Sequence, residues 1–243
     1  MINPFPPQPP ITLPHRTGRL VILADLHFDQ FARANRDPFA DHGLHHLGWS
    51  GIDAMIVAGD LTDMPGLNWQ MALVYLSRFL PHDRIAVFPG NHDFYHHDLS
   101  AEGVLQTVTE AAGMIYAQKR ELRHGKTRIF CCTLWTDFAL TGDPEEAMAE
   151  ATRFMTDYRL ITTGGTPGGA RGRLIQPPDL RTLHHDHRDW LQAELSTPHF
   201  AGVEGETVIL THHGPHPATA GSHDALTAAF HSDLSEIIAR HRP

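Results

Sequence analysis

Four short apolar runs in this chain end on side chains of the kind that bind metals. "RLVILADLHF" (19–28) delivers Asp25 and His27, and "AMIVAGDL" (54–61) delivers Asp60. "RIAVFPGNHD" (84–93) delivers Asn91 and His92, and "TVILTHHGP" (207–215) delivers His212. A fifth run, "TRIFCCTLWT" (127–136), lacks such an ending. Apolar runs this short suit strands covered on both faces. Helical stretches are predicted between them over 67–79, 100–112, 144–161 and 184–195, with Leu67, Met71, Val74 and Leu76 on the buried face of the first and Ser100 as a cap of the second. This alternation predicts a layered α/β fold. In such folds the working crevice lies beyond the C-terminal strand ends. Four separate strands would therefore converge their polar residues on one edge.

Those residues have the chemistry to hold cations. On extended backbone Asp25 and His27, two apart, face the same way. Asp60 follows Gly59, which lets the chain turn tightly, and a carboxylate can bridge two metals. Asn91 offers a neutral amide oxygen and His212 a further nitrogen. Mixed nitrogen and oxygen donors suit Mn, Fe, Zn, Co or Ni. Two divalent cations less the charges of Asp25, Asp60 and a bridging hydroxide leave the site positive, which attracts a phosphate ester. His92 can stabilise the phosphoryl transition state or protonate the leaving oxygen, with Asp63 orienting its ring.

Composition narrows the partners. Asp and Glu number 28 against 19 Lys and Arg, giving a net charge of −9 without a basic cluster, so duplex nucleic acid is a poor partner. The 20 histidines gather in "HHLGW", "NHDFYHHD", "HHDH" and "THHGPH". The adjacent Cys131 and Cys132 point to opposite faces of a strand and are expected as small buried hydrophobes. No apolar stretch is long enough to span a membrane, and the N-terminus lacks a signal-peptide layout, so a cytoplasmic enzyme is expected. Residues 1–18 read as a proline-rich, extended tail and 19–243 as one domain. Residues 162–173 read as a mobile glycine-rich loop that could bring Arg171 and Arg173 to a phosphate.

"DLH", "GDLTD", "GNHD" and "THHGP" together resemble the successive signatures of the calcineurin-like metallophosphoesterase superfamily, from about Leu20 onward. "TLWTDF" and "HRDWL" resemble a group of small bacterial members. The resemblance implies a two-layer β-sandwich flanked by α-helices. It implies Asp25, His27 and Asp60 on one metal, Asp60, Asn91 and His212 on a second, and His92 with Asp63 as the catalytic dyad. The implied activity is hydrolysis of a phosphomonoester or phosphodiester, on a small molecule or a protein, by a dimetal-bound hydroxide. His213, His216 and Trp135 are candidate substrate contacts. "HHDH" (184–187) is expected as a solvated helix start, with Trp190 and Leu191 packed in the core.

One family signature, Gly-His-x-His, does not occur in the sequence; a stretch like "DLSEIIARHRP" precedes it in family members. Three accounts are open: a sequence that stops short of its last strands, an altered site in which another histidine or water serves, or a partner chain supplying strand and ligands. On the first, an exposed sheet edge would favour homo-oligomers. The rival to an enzyme is a catalytically impaired remnant acting as a scaffold.

Overall fold

A computed structural model of the chain describes residues 8–166, 170, 172–221, 224 and 226–243. Its strands are β1 (Gln8–Thr12), β2 (Leu20–Leu23), β3 (Ala54–Ala58), β4 (Ile85–Phe88), β5 (Ile115–Tyr116), β6 (Arg120–His124), β7 (Thr127–Cys132), β8 (Thr162–Thr163), β9 (Arg173–Leu174) and β10 (Glu206–Thr211). The helices are α1 (Phe28–Arg33), α2 (Pro38–Asp41), α3 (Pro65–Leu76), α4 (Glu102–Ala111), α5 (Pro144–Phe154), α6 (Asp157–Leu160), α7 (Pro177–Leu195), α8 (Thr227–Phe230) and α9 (Ser235–His241).

Two four-stranded sheets form the centre, in the orders β1-β6-β7-β10 and β2-β3-β4-β5. The second sheet is parallel throughout; the first pairs β6 with β7 antiparallel. Strand alternation splits each apolar run between two cores. Ala54, Ile56 and Ala58 meet Ile129 and Cys131 between the sheets, whereas Met55 and Val57 pack outward with Trp69, Leu73 and Leu105 of the helical layer. Phe130 and Cys132 turn the other way, onto Trp190, Leu191 and Leu195 of α7. The adjacent cysteines thus serve two different cores and are both free. This is the expected helix-flanked sandwich.

Several elements depart from the sequence reading. Residues 8–12 are not a loose tail: β1 runs parallel to β6 as an edge strand, where Pro9 and Pro10 forfeit no ladder bond that a central strand would need. The helix expected at 100–112 begins at Glu102 without a side-chain cap; Ser100 lies in the short 3-10 turn before it (Leu99–Ala101), which Asp98 caps by accepting from the Ser100 amide. The helix expected over 144–161 breaks at Met155 into α5 and α6. The last helix begins at Pro177, a turn and more before "HHDH", so His184 and His187 lie mid-helix and buried, not solvated. Arg173 pairs with Asp179 instead of reaching toward a phosphate, and Arg171 lies outside the described residues. On α3 the buried side is Trp69, Ala72, Leu73 and Leu76; Leu67, Met71 and Val74 face solvent. Among the described residues, no helix is long and apolar enough to cross a membrane.

The buried imidazoles make the fold acid-sensitive. Burial depresses His187 from 6.5 to about 3, and its Nδ1 accepts a hydrogen bond from the Leu134 amide. Burial lowers His184 and His213 as well. Above pH 6.5 folded and unfolded chains are both neutral at His187. Below it only the unfolded chain gains the proton, so stability falls by about 1.4 kcal/mol per pH unit for this group until pH approaches 3. Urea midpoints at pH 7.5 and 5.5 should show the loss. His187→Asn, which keeps an acceptor, should flatten the profile by that slope.

Candidate metal centre

The site assembles on loops that leave the C-terminal ends of β2, β3, β4 and β10. Asp25 and His27 do not lie on extended backbone as the sequence suggested; both are left-handed, with φ of 56° and 40°. Their amides are tied across to the carbonyls of Gly59 and Asp60, at 3.1 and 3.0 Å. Asp60 is itself left-handed at φ 54°. Such conformations are costly for non-glycine residues and gather where function demands them. Consequently Asp25 and His27 aim at different places. Donor atoms of Asp25, Asp60 and His212 lie within 4.8 Å of one another, as do those of His27, Asp60 and His92. Asp60 is common to both groups.

The ring of His212 lies flat over two glycines. A Cβ on Gly90 would overlap Asp60 Oδ1 and come within 2.6 Å of His212 Nε2; one on Gly59, at φ +90°, would strike the same ring. His212 Nδ1 donates to the Ala58 carbonyl at 3.0 Å, which leaves Nε2 as a bare acceptor. That nitrogen faces Asn91 Oδ1 at 3.2 Å and Asp60 Oδ1 at 3.4 Å. Asn91 is locked in this orientation because its Nδ2 donates to Asp157 at 2.9 Å. With the ring neutral, three lone-pair atoms converge here, an arrangement that a bound cation would satisfy. His27 Nε2 stands 3.8 Å from Asp60 Oδ2, and its Nδ1 is buried without a hydrogen-bond partner. The donor set fits divalent metal.

His92 stands at the side of this cluster. Its Nδ1 bonds Asp63 Oδ1 at 2.9 Å, its backbone amide donates to Asp60 Oδ1, and its ring stacks on Tyr95 with centroids 4.1 Å apart. Asp63 is held in turn: its amide donates to Asp29, and its carbonyl accepts from Asn68. Asp93 has another job. Fully buried, it accepts from the Thr62 and Gly90 amides and staples the two loops together. Burial, with the charge of Asp60 nearby, pushes its carboxyl well above the usual range.

Asp25, His27, Asp60, Asn91, His92, His212 and His213 all line one cleft of about 300 Å³. The structure separates the other two candidate substrate contacts from it. His216 caps a short turn by accepting from the Ala218 amide. Trp135 is buried behind the cleft, between Phe94 and His213. Four residues escaped the sequence reading. Phe230 and His231 form a wall of the cleft, brought there by a backbone bridge between Gly214 and His231. Asp157 and Tyr95 stand behind it: Asp157 accepts from both Asn91 and Tyr95 at 2.9 Å. Burial pushes the Asp157 carboxyl up from its ordinary value, and these two donors pull it back. Asp157, Phe230 and His231 reach the site through distant segments that no local motif announces, and Tyr95, though within "NHDFYHHD", carries no signal of its contact with Asp157.

Fold and cleft together define an α/β sandwich protein with a metal-binding type of site at its strand ends. The calcineurin-like phosphoesterase family model matches residues 18–233, and the chain belongs to that family. A search of curated proteins finds no match to the chain.

Proposed function

We propose that this protein hydrolyses phosphate esters with two divalent cations held by Asp25, His27, Asp60, Asn91 and His212. The observation that carries the reading is the meeting of three metal-ligand atoms, with His212 Nε2 at 3.2 Å from Asn91 Oδ1 and 3.4 Å from Asp60 Oδ1. Bound cations would supply Lewis acidity toward the phosphoryl oxygens and activate water for in-line attack. Asp60, common to both donor groups, would help to hold both cations.

The chain's own residues do the rest. Nδ1 of His92 donates to Asp63, which fixes the ring's orientation. Acting as a general acid, the ring would pass a proton to the leaving oxygen from its opposite nitrogen, Nε2. Stacking on Tyr95 holds the ring plane. Asp157 keeps the Asn91 oxygen, not its NH₂, turned inward. Phe230, 38% exposed on an otherwise polar cleft, offers an apolar surface to the ester's organic group. Small-molecule monoesters and diesters both fit this scheme.

The test is turnover of p-nitrophenyl phosphate and bis-p-nitrophenyl phosphate by protein stripped with chelator and then reloaded with Mn, Zn, Fe, Co or Ni. Activity should vanish on stripping and return with metal. Equal rates in stripped and reloaded protein, or none with any metal on either ester, would sink the proposal.

A further inference from the structure

The most conspicuous feature that the cleft does not use is the outer side of α3. Leu67, Met71 and Val74 are 68%, 63% and 61% exposed, and Met64, just before the helix, is 38% exposed. Solvent-facing positions of a helix are ordinarily polar, because apolar side chains there gain nothing in the monomer. Here the whole segment from Met64 to Ser77 contains no charged residue. Beside the ridge runs a groove of about 180 Å³ between α1 and α3, walled by Phe28, Asp29, Ala32, Asn68, Met71 and Tyr75, in which the Asp29 carboxylate is buried and paired with Arg33. Ridge and groove thus lie next to each other on one face. Contiguous apolar surface of this kind marks an interaction site.

We propose that this face binds a second copy of the same chain, α3 packing antiparallel on α3 about a two-fold axis. Two observations choose that occupant. On α3 the stripe Leu67, Met71 and Val74 has 4-3 spacing, the seam that helices use to pair, and Met64 extends it from the left-handed residue just before the helix. A two-fold axis level with residue 69 sets Leu67 against Met71 of the other copy, the self-complementarity that an isologous interface requires. Charge supplies the second. Two copies each carrying −9 repel, so they can meet only where neither presents carboxylates, and the uncharged α3 is such a surface. The side chains of one ridge then have the neighbouring groove of the partner to enter.

Sedimentation of the full chain from low to high micromolar concentration should show the 27.1 kDa monomer mass doubling. Met71→Glu and Leu67→Glu should each weaken the dimer at least about tenfold, by burying a carboxylate against its own kind. Both positions are exposed, so the variants should fold with an unchanged circular dichroism spectrum. Cysteine pairing tests the axis, and Cys131 and Cys132 are buried and give no background. A mixture of Leu67→Cys and Met71→Cys protein should form a disulfide-linked dimer faster than either variant alone. A monomer at every concentration overturns the proposal. So does a dimer indifferent to both glutamates, which would place its contact elsewhere or on another kind of partner. Equal cross-linking of the single variants and the mixture overturns the antiparallel axis.

Discussion

Asp60→Asn should abolish metal binding and lower turnover by roughly 10³-fold or more, because the Lewis acid and the activated water both depend on cations this carboxylate joins. Asp60 belongs to both donor groups, so its charge has no substitute in the cleft. Metal content after dialysis should fall from near two equivalents to near none. Stability separates loss of function from loss of fold. Asp60 is buried and raises the energy of its buried neighbour Asp93, whose carboxyl it helps push upward. Removing that charge relieves the repulsion, so the metal-free variant should melt no lower than metal-free wild type. The wild type should gain melting temperature with added metal, as any ligand that favours the folded state requires, and the variant should not. A variant that binds two equivalents normally would remove Asp60 from its bridging place.

His92→Ala is the second large effect, with the opposite signature. Turnover should fall by about 10²- to 10⁴-fold, the range for a lost general acid, while metal content stays at the wild-type level. The loss should depend on the ester. p-Nitrophenolate leaves without help, whereas an alkoxide needs a proton, so alkyl phosphates should suffer far more than aryl ones. Asp63→Asn should show a milder form of the same ester dependence, since Asp63 acts only through Nδ1 of His92. The rival role for His92 is that of a metal ligand, because its donor atoms lie in the group with His27 and Asp60. That role predicts lost metal and equal losses on both kinds of ester.

Much of this was legible in the chain because β2, β3, β4, β7 and β10 are short apolar runs, β3 and β4 being buried throughout. Each had to be a short uninterrupted apolar run, and each run's end had to be polar where it emerged. The helices were harder. Helix α3 is apolar on both sides, so identity alone could not tell Leu67, Met71 and Val74 from Trp69, Leu73 and Leu76. The histidines at 184 and 187 misled for the opposite reason. A polar residue type suggested solvent, but a buried imidazole stays neutral and is tolerated when one nitrogen finds a partner, as His187 does at the Leu134 amide.

By itself the sequence determined five strands (β2, β3, β4, β7 and β10), the layered class of fold, and the six polar residues at strand ends that reach one cleft, Asp25, His27, Asp60, Asn91, His92 and His212. It could do so because strand burial and turn chemistry act over a few neighbouring residues. Only the tertiary structure decided how those residues divide. Asp25 and His27, both on left-handed backbone, fall into different donor groups around Asp60, and hydrogen bonds to Ala58 and Asp157 choose which atoms of His212 and Asn91 face inward. Only the tertiary structure brought Phe230 and His231 to the cleft and turned the apolar stripe of α3 outward. Those outcomes depend on contacts between segments far apart in the chain, and no local pattern encodes a contact whose two halves lie on different elements.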